Sequence, residues 1–103
     1  MELTINLKIG QIVKSKKGRD KNRVFVISRI LDERYVLICD GDLRKLNTPK
    51  KKKVKHLMIY NTVLTEFAEK LKSNENLDDA FLRRILEPFA QNSKNVSEEM
   101  EVE

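Results

Sequence analysis

The apolar residues of this chain change their spacing near Tyr60, and that change constrains the fold more than any other feature of the sequence. Between residues 10 and 59 they alternate with polar residues or form short continuous runs rich in β-branched side chains, which is typical of strands. After Tyr60 they recur at the spacing of an amphipathic helix. The sequence therefore predicts a mainly β fold followed by a helical appendage.

Short turns divide the β part into five predicted strands. Residues 32–34 form one tight turn, and the Asp40-Gly41 pair supplies the positive φ angle that a hairpin needs. In the last strand, alternation predicts that Lys55 points outward. The predicted strands cover residues 10–15, 23–31, 35–39, 43–46 and 53–59. Five strands with short connections suit a small barrel, which has no exposed edges.

Two helices are predicted beyond Tyr60. Asn61 is the candidate N-cap of the first, and Asn76 or Asp78 of the second, because short polar side chains accept hydrogen bonds from the free N–H groups of a first helical turn. Pro88 is expected to disrupt the last turn of the second helix. The second helix carries an apolar stripe formed by Leu82, Ile85, Leu86 and Phe89.

Charge divides the chain at the same place as the apolar pattern. Residues 1–60 hold sixteen Lys or Arg against six Asp or Glu, whereas residues 61–103 hold five against ten. Such a basic excess predicts a polyanionic partner for the first part. The predicted organisation is a basic β domain at 1–60, a two-helix appendage at 61–91 and an acidic, disordered tail at 92–103.

Two basic segments supply the candidate phosphate contacts. The loop at 14–23, KSKKGRDKNR, has six cations and one acid, and Gly18 permits the positive φ angle and the close approach to a phosphate backbone. The second segment precedes and enters the fifth strand. The predicted contacts are Lys14, Lys16, Lys17, Gly18, Arg19, Lys21, Arg23, Arg44, Lys45, Lys50, Lys51, Lys52, Lys53 and Lys55. An alternative use of PKKKKVK, residues 49–55, is a nuclear import signal.

Other chemistry is poorly represented in the sequence. One histidine, His56, and one cysteine, Cys39, are too few for a zinc site, and Cys39 is expected in the core. We expect no enzyme, cofactor, metal or small-molecule substrate. Most of the few aromatic residues are expected in the core, which favours recognition of folded RNA by shape over base stacking. The chain shows neither an apolar span nor a signal peptide, so we expect a cytoplasmic protein that is monomeric when free and has no membrane partner.

A family resemblance begins at IGQIVKSKKGRDKNRVFVISRILDERYVLICDG, residues 9–41. This stretch resembles a KOW motif, with an apolar strand near GQIV, a basic loop containing Gly18 and Arg19, and a second apolar strand. The continuation LRKLNTPKKKKVKHL is similar to large-subunit ribosomal proteins of the eL-fourteen type, where a basic segment also ends in a His-Leu pair, here His56-Leu57. The resemblance covers residues 9–59. It implies an SH3-like barrel, RNA binding and association with the ribosome.

The sequence departs from the family pattern at Asn22, where a second glycine is frequent. Asparagine tolerates the left-handed backbone conformation better than other non-glycine residues, so we expect the turn to survive.

The resemblance also leaves open an interaction module of a transcription or translation factor. That alternative needs the apolar stripe of the second helix to be exposed. A further expectation is that the acidic tail competes with RNA for the basic loops.

Overall fold

Five strands and two α-helices make up the described chain. The structure, a computed structural model, describes residues 6–73 and 77–102, and for residues 91–102 it describes the backbone alone. The predicted mainly β fold with helices after it is confirmed. The elements are β1 (Gln11–Ser15), β2 (Val24–Ile30), β3 (Tyr35–Cys39), β4 (Lys50–Lys53), a 3₁₀ helix (Val54–His56), β5 (Leu57–Val63), α1 (Thr65–Ser73) and α2 (Asp79–Val102).

The sheet is antiparallel throughout, in the order β4-β3-β2-β1-β5. Its two outer strands, β4 and β5, are joined by the three residues of the 3₁₀ helix. In a flat sheet, four strand spacings would separate them by about 19 Å. Four backbone steps reach at most about 14 Å, and a 3₁₀ helix is shorter still. The sheet must therefore curl so that its two ends approach each other.

Both faces of the sheet are buried, which explains the continuous apolar run of β2. Neighbouring residues of that strand, such as Val24 and Phe25, belong to different hydrophobic clusters because successive side chains point to opposite faces. One cluster lies between sheet and helices and contains Ile12, Val24, Val26, Cys39, Phe67, Leu82 and Leu86. The other lines the opposite face and contains Val13, Phe25, Ile27, Val36, Ile38, Val54 and Leu57.

Two strand predictions are wrong. Residues 43–46 form no strand, because after the Asp40-Gly41 turn the chain runs as a loop to Pro49 and pairs with β3 only at Lys50. The predicted strand at 53–59 is interrupted by the 3₁₀ helix, which changes the faces of the following residues. As a result Val54 and Leu57 are both buried, while Met58 is exposed. Lys55 is exposed, as predicted.

The first helix begins later than predicted. Asn61 does not cap it but lies in β5, which continues to Val63 because Gln11 of β1 pairs with Val63. A bulge interrupts the pairing of β1 with β5 between Gln11 and Val13. There the Gln11 side-chain amide donates a 2.8 Å hydrogen bond to the Tyr60 carbonyl. The β part therefore ends at residue 63 and not at residue 60.

The second helix is capped as predicted but is longer. Asp78 accepts a 2.8 Å hydrogen bond from the Phe81 N–H. The helix then continues through Pro88 to Val102, and it includes most of the stretch 92–103 that the sequence predicts to be disordered. A proline removes one backbone donor, but extending an existing helix carries no nucleation cost, and Glu and Met are good helix formers. No helix in the described chain is long and apolar enough to cross a bilayer.

The loop after β3 is docked on the first turn of α2. The Leu46 N–H donates to the Asp79 carboxylate at 2.8 Å, and the Arg83 guanidinium donates to the Gly41 carbonyl at 2.6 Å. Gly41 has a φ of +80°, and a Cβ there would lie 2.5 Å from the Asp79 carbonyl oxygen. Only glycine allows both the turn and the close approach of the helix.

We expect Gly41→Ala to destabilise the protein more than Gly18→Ala does. Both glycines have positive φ, which costs an alanine about 1–2 kcal/mol. A Cβ at Gly18 would meet only side-chain atoms, 3.4 Å or more away, whereas at Gly41 it overlaps backbone, which adds about 1–3 kcal/mol. Urea denaturation of the two variants measures the difference. Equal losses would show that α2 does not pack against Gly41.

Candidate nucleic-acid interface

The basic loop between β1 and β2 is closed by its own backbone. Ser15 and Arg23 mark its ends, where the Ser15 N–H donates to the Arg23 carbonyl at 3.0 Å and the Asn22 N–H donates to the Ser15 carbonyl at 2.8 Å. Gly18 and Asn22 both have positive φ, 90° and 73° respectively. The predicted left-handed conformation of Asn22 is therefore confirmed. These hydrogen bonds define the path of the loop backbone and therefore the positions of the lysine Cα atoms.

A buried ion pair ties this loop to β4. The Lys52 ammonium donates to Asp20 Oδ1 at 3.1 Å and to the Lys17 carbonyl at 2.8 Å. The Ser15 hydroxyl lies 2.9 Å from the same two oxygens. Asp20 is fully buried and Lys52 is 7% exposed. We call these two residues the Asp20–Lys52 pair. Lys52 is thus part of the framework and not of the surface, which corrects its prediction as an RNA contact.

The environment of Asp20 keeps its carboxylate ionised. Burial by itself raises the pKa of this group, but the hydrogen bonds from Lys52 and Ser15 and the charges of Lys52 and Lys50 outweigh burial and lower the pKa below its usual value. The second oxygen, Oδ2, has no hydrogen-bond partner among the described residues. The carboxylate therefore depends mainly on Lys52 to offset the cost of burying its negative charge.

Strand alternation divides the four consecutive lysines between the two faces of the sheet. Lys50 and Lys52 pair with Ile38 and Val36, which are core residues, so these two lysines lie on the face that carries Asp20. Lys51 and Lys53 pair with Leu37 and Tyr35 on the opposite face. The Lys51 and Lys53 ammonium groups lie 4.6 and 5.7 Å from the centre of the Tyr35 ring. The run is thus a strand with two chemically different sides.

The structure brings part of the two predicted basic segments together around His56. The Lys16 N–H donates to the His56 carbonyl at 2.8 Å, so the loop lies directly against the 3₁₀ helix. We call the surrounding surface the His56 basic cluster; it contains Lys16, Lys17, Lys53, Lys55 and His56. Lys16, Lys17 and Lys55 are exposed, and the others are partly buried. Lys50 begins β4 at the end away from the 3₁₀ helix, and its charge acts on Asp20 instead.

Nearby lysine charges act on the His56 imidazole. Desolvation lowers the pKa of its imidazole, and the charges of Lys17, Lys55, Lys52 and Lys53 lower it further. Four cations therefore act on one half-buried ring. Such a concentration of like charge attracts a polyanion and disfavours further protonation of the histidine.

Other predicted contacts lie elsewhere. Arg23 forms ion pairs with Asp40 at 2.9 Å and with Asp42 at 3.1 Å. Arg44 lies in the loop that docks on α2, with its Nε buried and without a partner among the described residues, and Lys45 is exposed beside it. Arg23 borders a cleft of about 380 Å³ between the sheet and α2, where Arg83 and three acids supply mixed charge. Among the described residues that line this cleft, positive and negative charges are mixed, unlike those of the His56 basic cluster.

Three further predicted contacts lie in or beside the basic loop but outside the His56 basic cluster. Lys14 is a half-buried residue of β1, between β2 and β5. Arg19 and Lys21 are exposed in the loop on either side of Asp20. Arg19 and Lys21 add to the exposed positive charge of the loop.

Sequence reasoning missed the role of Asp20 and of its partner. The one available indication was a single acid within a loop of six cations. Alternate residues of a strand face the same side, so one of the four lysines could have been proposed as the partner of Asp20. However, the four lysines have no apolar pattern that identifies them as a strand. His56 falls within the predicted strand 53–59, and it lies instead in the 3₁₀ helix against the basic loop.

Burial bears on two further expectations. Cys39 is fully buried, as predicted, and burial raises the pKa of its thiol to about 12, so the thiolate is absent at neutral pH. In the apolar stripe of α2, Leu82 and Leu86 are 0% and 4% exposed in the core, and Ile85 and Phe89 pack against the same cluster. The surface that a protein-interaction module would need is therefore occupied.

Comparison with known proteins adds no assignment. No protein-family model matches the chain, and no curated protein matches it significantly.

Proposed function

We propose that this protein binds structured RNA, specifically ribosomal RNA, as a KOW-type ribosomal or ribosome-associated protein. The observation that carries the proposal is the convergence of two separate basic segments on His56, with the Asp20–Lys52 pair joining them. A solvated charge run does not require such a connection. A surface that holds several ammonium groups at fixed spacing does, because phosphates are also fixed in a folded RNA.

The sheet supports the KOW part of this proposal. Its order, β4-β3-β2-β1-β5, and the short 3₁₀ connection that brings β4 near β5 are compatible with a small SH3-like barrel. The basic loop between β1 and β2 corresponds to the loop of the KOW resemblance. In this arrangement the loop and the 3₁₀ helix lie side by side, as the Lys16 to His56 hydrogen bond requires.

The chemistry of the site favours phosphate contact over base readout. Lysine is a compact, strongly hydrated point charge, and it contacts phosphate without demanding a particular base. Double-stranded RNA is recognised mainly by its shape and by contacts to phosphate and 2′-hydroxyl groups. The cluster is therefore suited to a path of phosphates on a folded RNA.

The nuclear import alternative is less compatible with the structure. Its core segment, Lys50–Lys53, is paired along its length with β3, and Lys52 is buried. A receptor would have to detach this strand and break the Asp20–Lys52 pair.

Binding to ribosomal RNA fragments and to a duplex DNA of similar length, at two salt concentrations, tests the proposed function. We expect tighter binding to the ribosomal RNA fragments, with affinity that falls as salt rises, because phosphate contacts release counterions. Co-sedimentation with ribosomal subunits over a salt series gives the same test in the assembled particle. Equal, weak binding to both nucleic acids would contradict the proposal.

A further inference from the structure

Tyr35 differs from the other aromatic residues in its environment. The chain has two tyrosines and four phenylalanines. Tyr35 is half-buried and belongs to neither hydrophobic cluster. The remaining aromatic residues, Phe25, Tyr60, Phe67, Phe81 and Phe89, are either buried or packed against the core. Core packing therefore does not account for the ring of Tyr35.

The described contacts at the Tyr35 ring are made by lysines of β4. On the face that carries Tyr35, the helices cover β3 at Cys39, which lies in the cluster shared with α1 and α2. Tyr35 is four strand residues away, or about 13 Å. Its neighbours there are the lysines of β4: Lys53 is its cross-strand partner, and Lys51 lies diagonally beside it. The ring is thus bordered by two positive charges.

We propose that Tyr35 is a stacking site for one unpaired base of the bound RNA, with Lys51 and Lys53 contacting the adjoining phosphates. This inference rests on the proposed function and names a nucleotide subsite within it. An exposed contact between an ammonium group and a ring is weaker than stacking of a base on the same ring. A base therefore displaces the lysines from the Tyr35 face, and the released ammonium groups lie beside the phosphates of that strand.

Lys53 connects this subsite to the His56 basic cluster. Its ammonium lies 5.7 Å from the centre of the Tyr35 ring, and its charge also acts on His56. A folded RNA that contacts the cluster therefore meets Tyr35 at its border. A single stacking residue in this position suits a bulged or loop nucleotide, since unpaired bases of folded RNA are splayed out and stack on aromatic side chains.

Intrinsic fluorescence tests the subsite directly, because the chain has two tyrosines and no tryptophan. Tyr60→Phe leaves Tyr35 as the only fluorophore and removes only a hydroxyl group, since the hydrogen bond at Tyr60 is made by its backbone carbonyl. The probes are an RNA hairpin with a one-nucleotide bulge and the same hairpin fully paired. We expect the bulged hairpin to quench Tyr35 strongly and the paired hairpin to quench it little.

Substitutions separate stacking from charge. We expect Tyr35→Leu to weaken binding of the bulged hairpin by roughly five- to thirtyfold, to leave the paired hairpin unaffected, and to leave the salt dependence unchanged. Tyr35→Phe, which keeps the ring, should bind as the wild type does. Lys51→Gln should instead reduce the salt dependence. Circular dichroism establishes that each variant is folded.

The possible failures are distinguishable. If Tyr35→Leu binds both hairpins as tightly as the wild type does, or loses the same affinity for both, the stacking site is overturned. Either result would leave the proposed function standing. If the wild-type protein binds ribosomal RNA fragments but neither hairpin, only the stacking site is wrong. If it shows no salt-dependent binding to the fragments or to either hairpin, both the stacking site and the proposed function are wrong.

Discussion

Replacing Lys52 with methionine is expected to lower the free energy of unfolding by about 3–5 kcal/mol, because the substitution leaves the Asp20 carboxylate buried without its counter-ion. Domains of this size have only about 5–15 kcal/mol of stability in total, so the loss would bring the protein close to unfolding. Methionine has a similar length and fills the same space, which limits the contribution of a cavity. Urea denaturation at pH 7 measures the effect.

The adjacent lysine provides a matched control. Lys51→Met changes the same residue type in the same strand, but Lys51 is exposed and lies on the opposite face. We expect a change within about 1 kcal/mol, due to its contact with Tyr35. Comparable losses for Lys51→Met and Lys52→Met would show that the two lysines are equivalent and would contradict the alternation.

A double substitution isolates the charge effect. Asp20→Asn together with Lys52→Met leaves no buried charge, so it should be clearly less destabilised than Lys52→Met alone. Non-additivity of this kind identifies direct interaction between the two side chains. Simple addition of the two single effects would argue that each side chain acts separately.

Acid should reduce the difference between the wild type and Lys52→Met. In the wild type, the pKa of Asp20 is lower in the folded state than in the unfolded chain, so its stabilising contribution is present above the unfolded pKa, about 3.9, and is lost as the pH falls below that value. In the variant, burial without Lys52 favours the protonated form, and acid therefore relieves the penalty. A difference that stays constant from pH 7 to pH 3 would contradict the assigned pKa direction.

The second large effect is expected on RNA affinity. Lys17→Gln combined with Lys55→Gln removes two exposed charges from the His56 basic cluster. Each lost phosphate contact reduces the slope of log affinity against log salt by about 0.7–0.9. Two lost contacts should therefore lower affinity at 0.1 M salt by about twenty-five- to sixtyfold, taking 1 M salt as the reference. Fluorescence anisotropy over a salt series measures both quantities. The matched control, Lys72→Gln with Arg84→Gln, removes the same charge from exposed helix positions and should have little effect.

His56 provides a check of the surface that does not depend on RNA. It is the only histidine, so nuclear magnetic resonance can follow its titration without ambiguity. Lys17 and Lys55 are the first two of the charges that lower its pKa, after desolvation. The double variant should therefore raise that pKa towards its ordinary value. A raised pKa with unchanged RNA affinity would show that the cluster is correctly described but does not bind RNA.

Local chemistry made several features predictable. β2 and β3 were recognisable from apolar runs, and the turn at 32–34 is held by Asp32, which accepts hydrogen bonds from the Arg34 and Tyr35 N–H groups. Asp78 was recognisable as a helix cap because capping needs only a short acceptor side chain before the first turn. Each of these features depends on residues that are near one another in the sequence.

The features that were mispredicted depend on distant partners. Lys50–Lys53 form a strand because β3 supplies the hydrogen-bonding partner and Asp20 compensates the inward-facing Lys52. Asn61 lies in a strand because β1 pairs beyond it as far as Val63. Nothing in either segment indicates these partners.

A basic β part followed by helices was predictable from the sequence, because strand and helix periodicity and charge are properties of neighbouring residues. The sequence did not show which lysines belong to the surface. The folded chain buries Lys52 against Asp20, places Lys51 and Lys53 beside Tyr35, and brings the basic loop against the 3₁₀ helix at His56. Whether an ammonium group on a strand is buried or exposed depends on the residues that pack against it, and strand pairing brings together residues that are far apart in the chain.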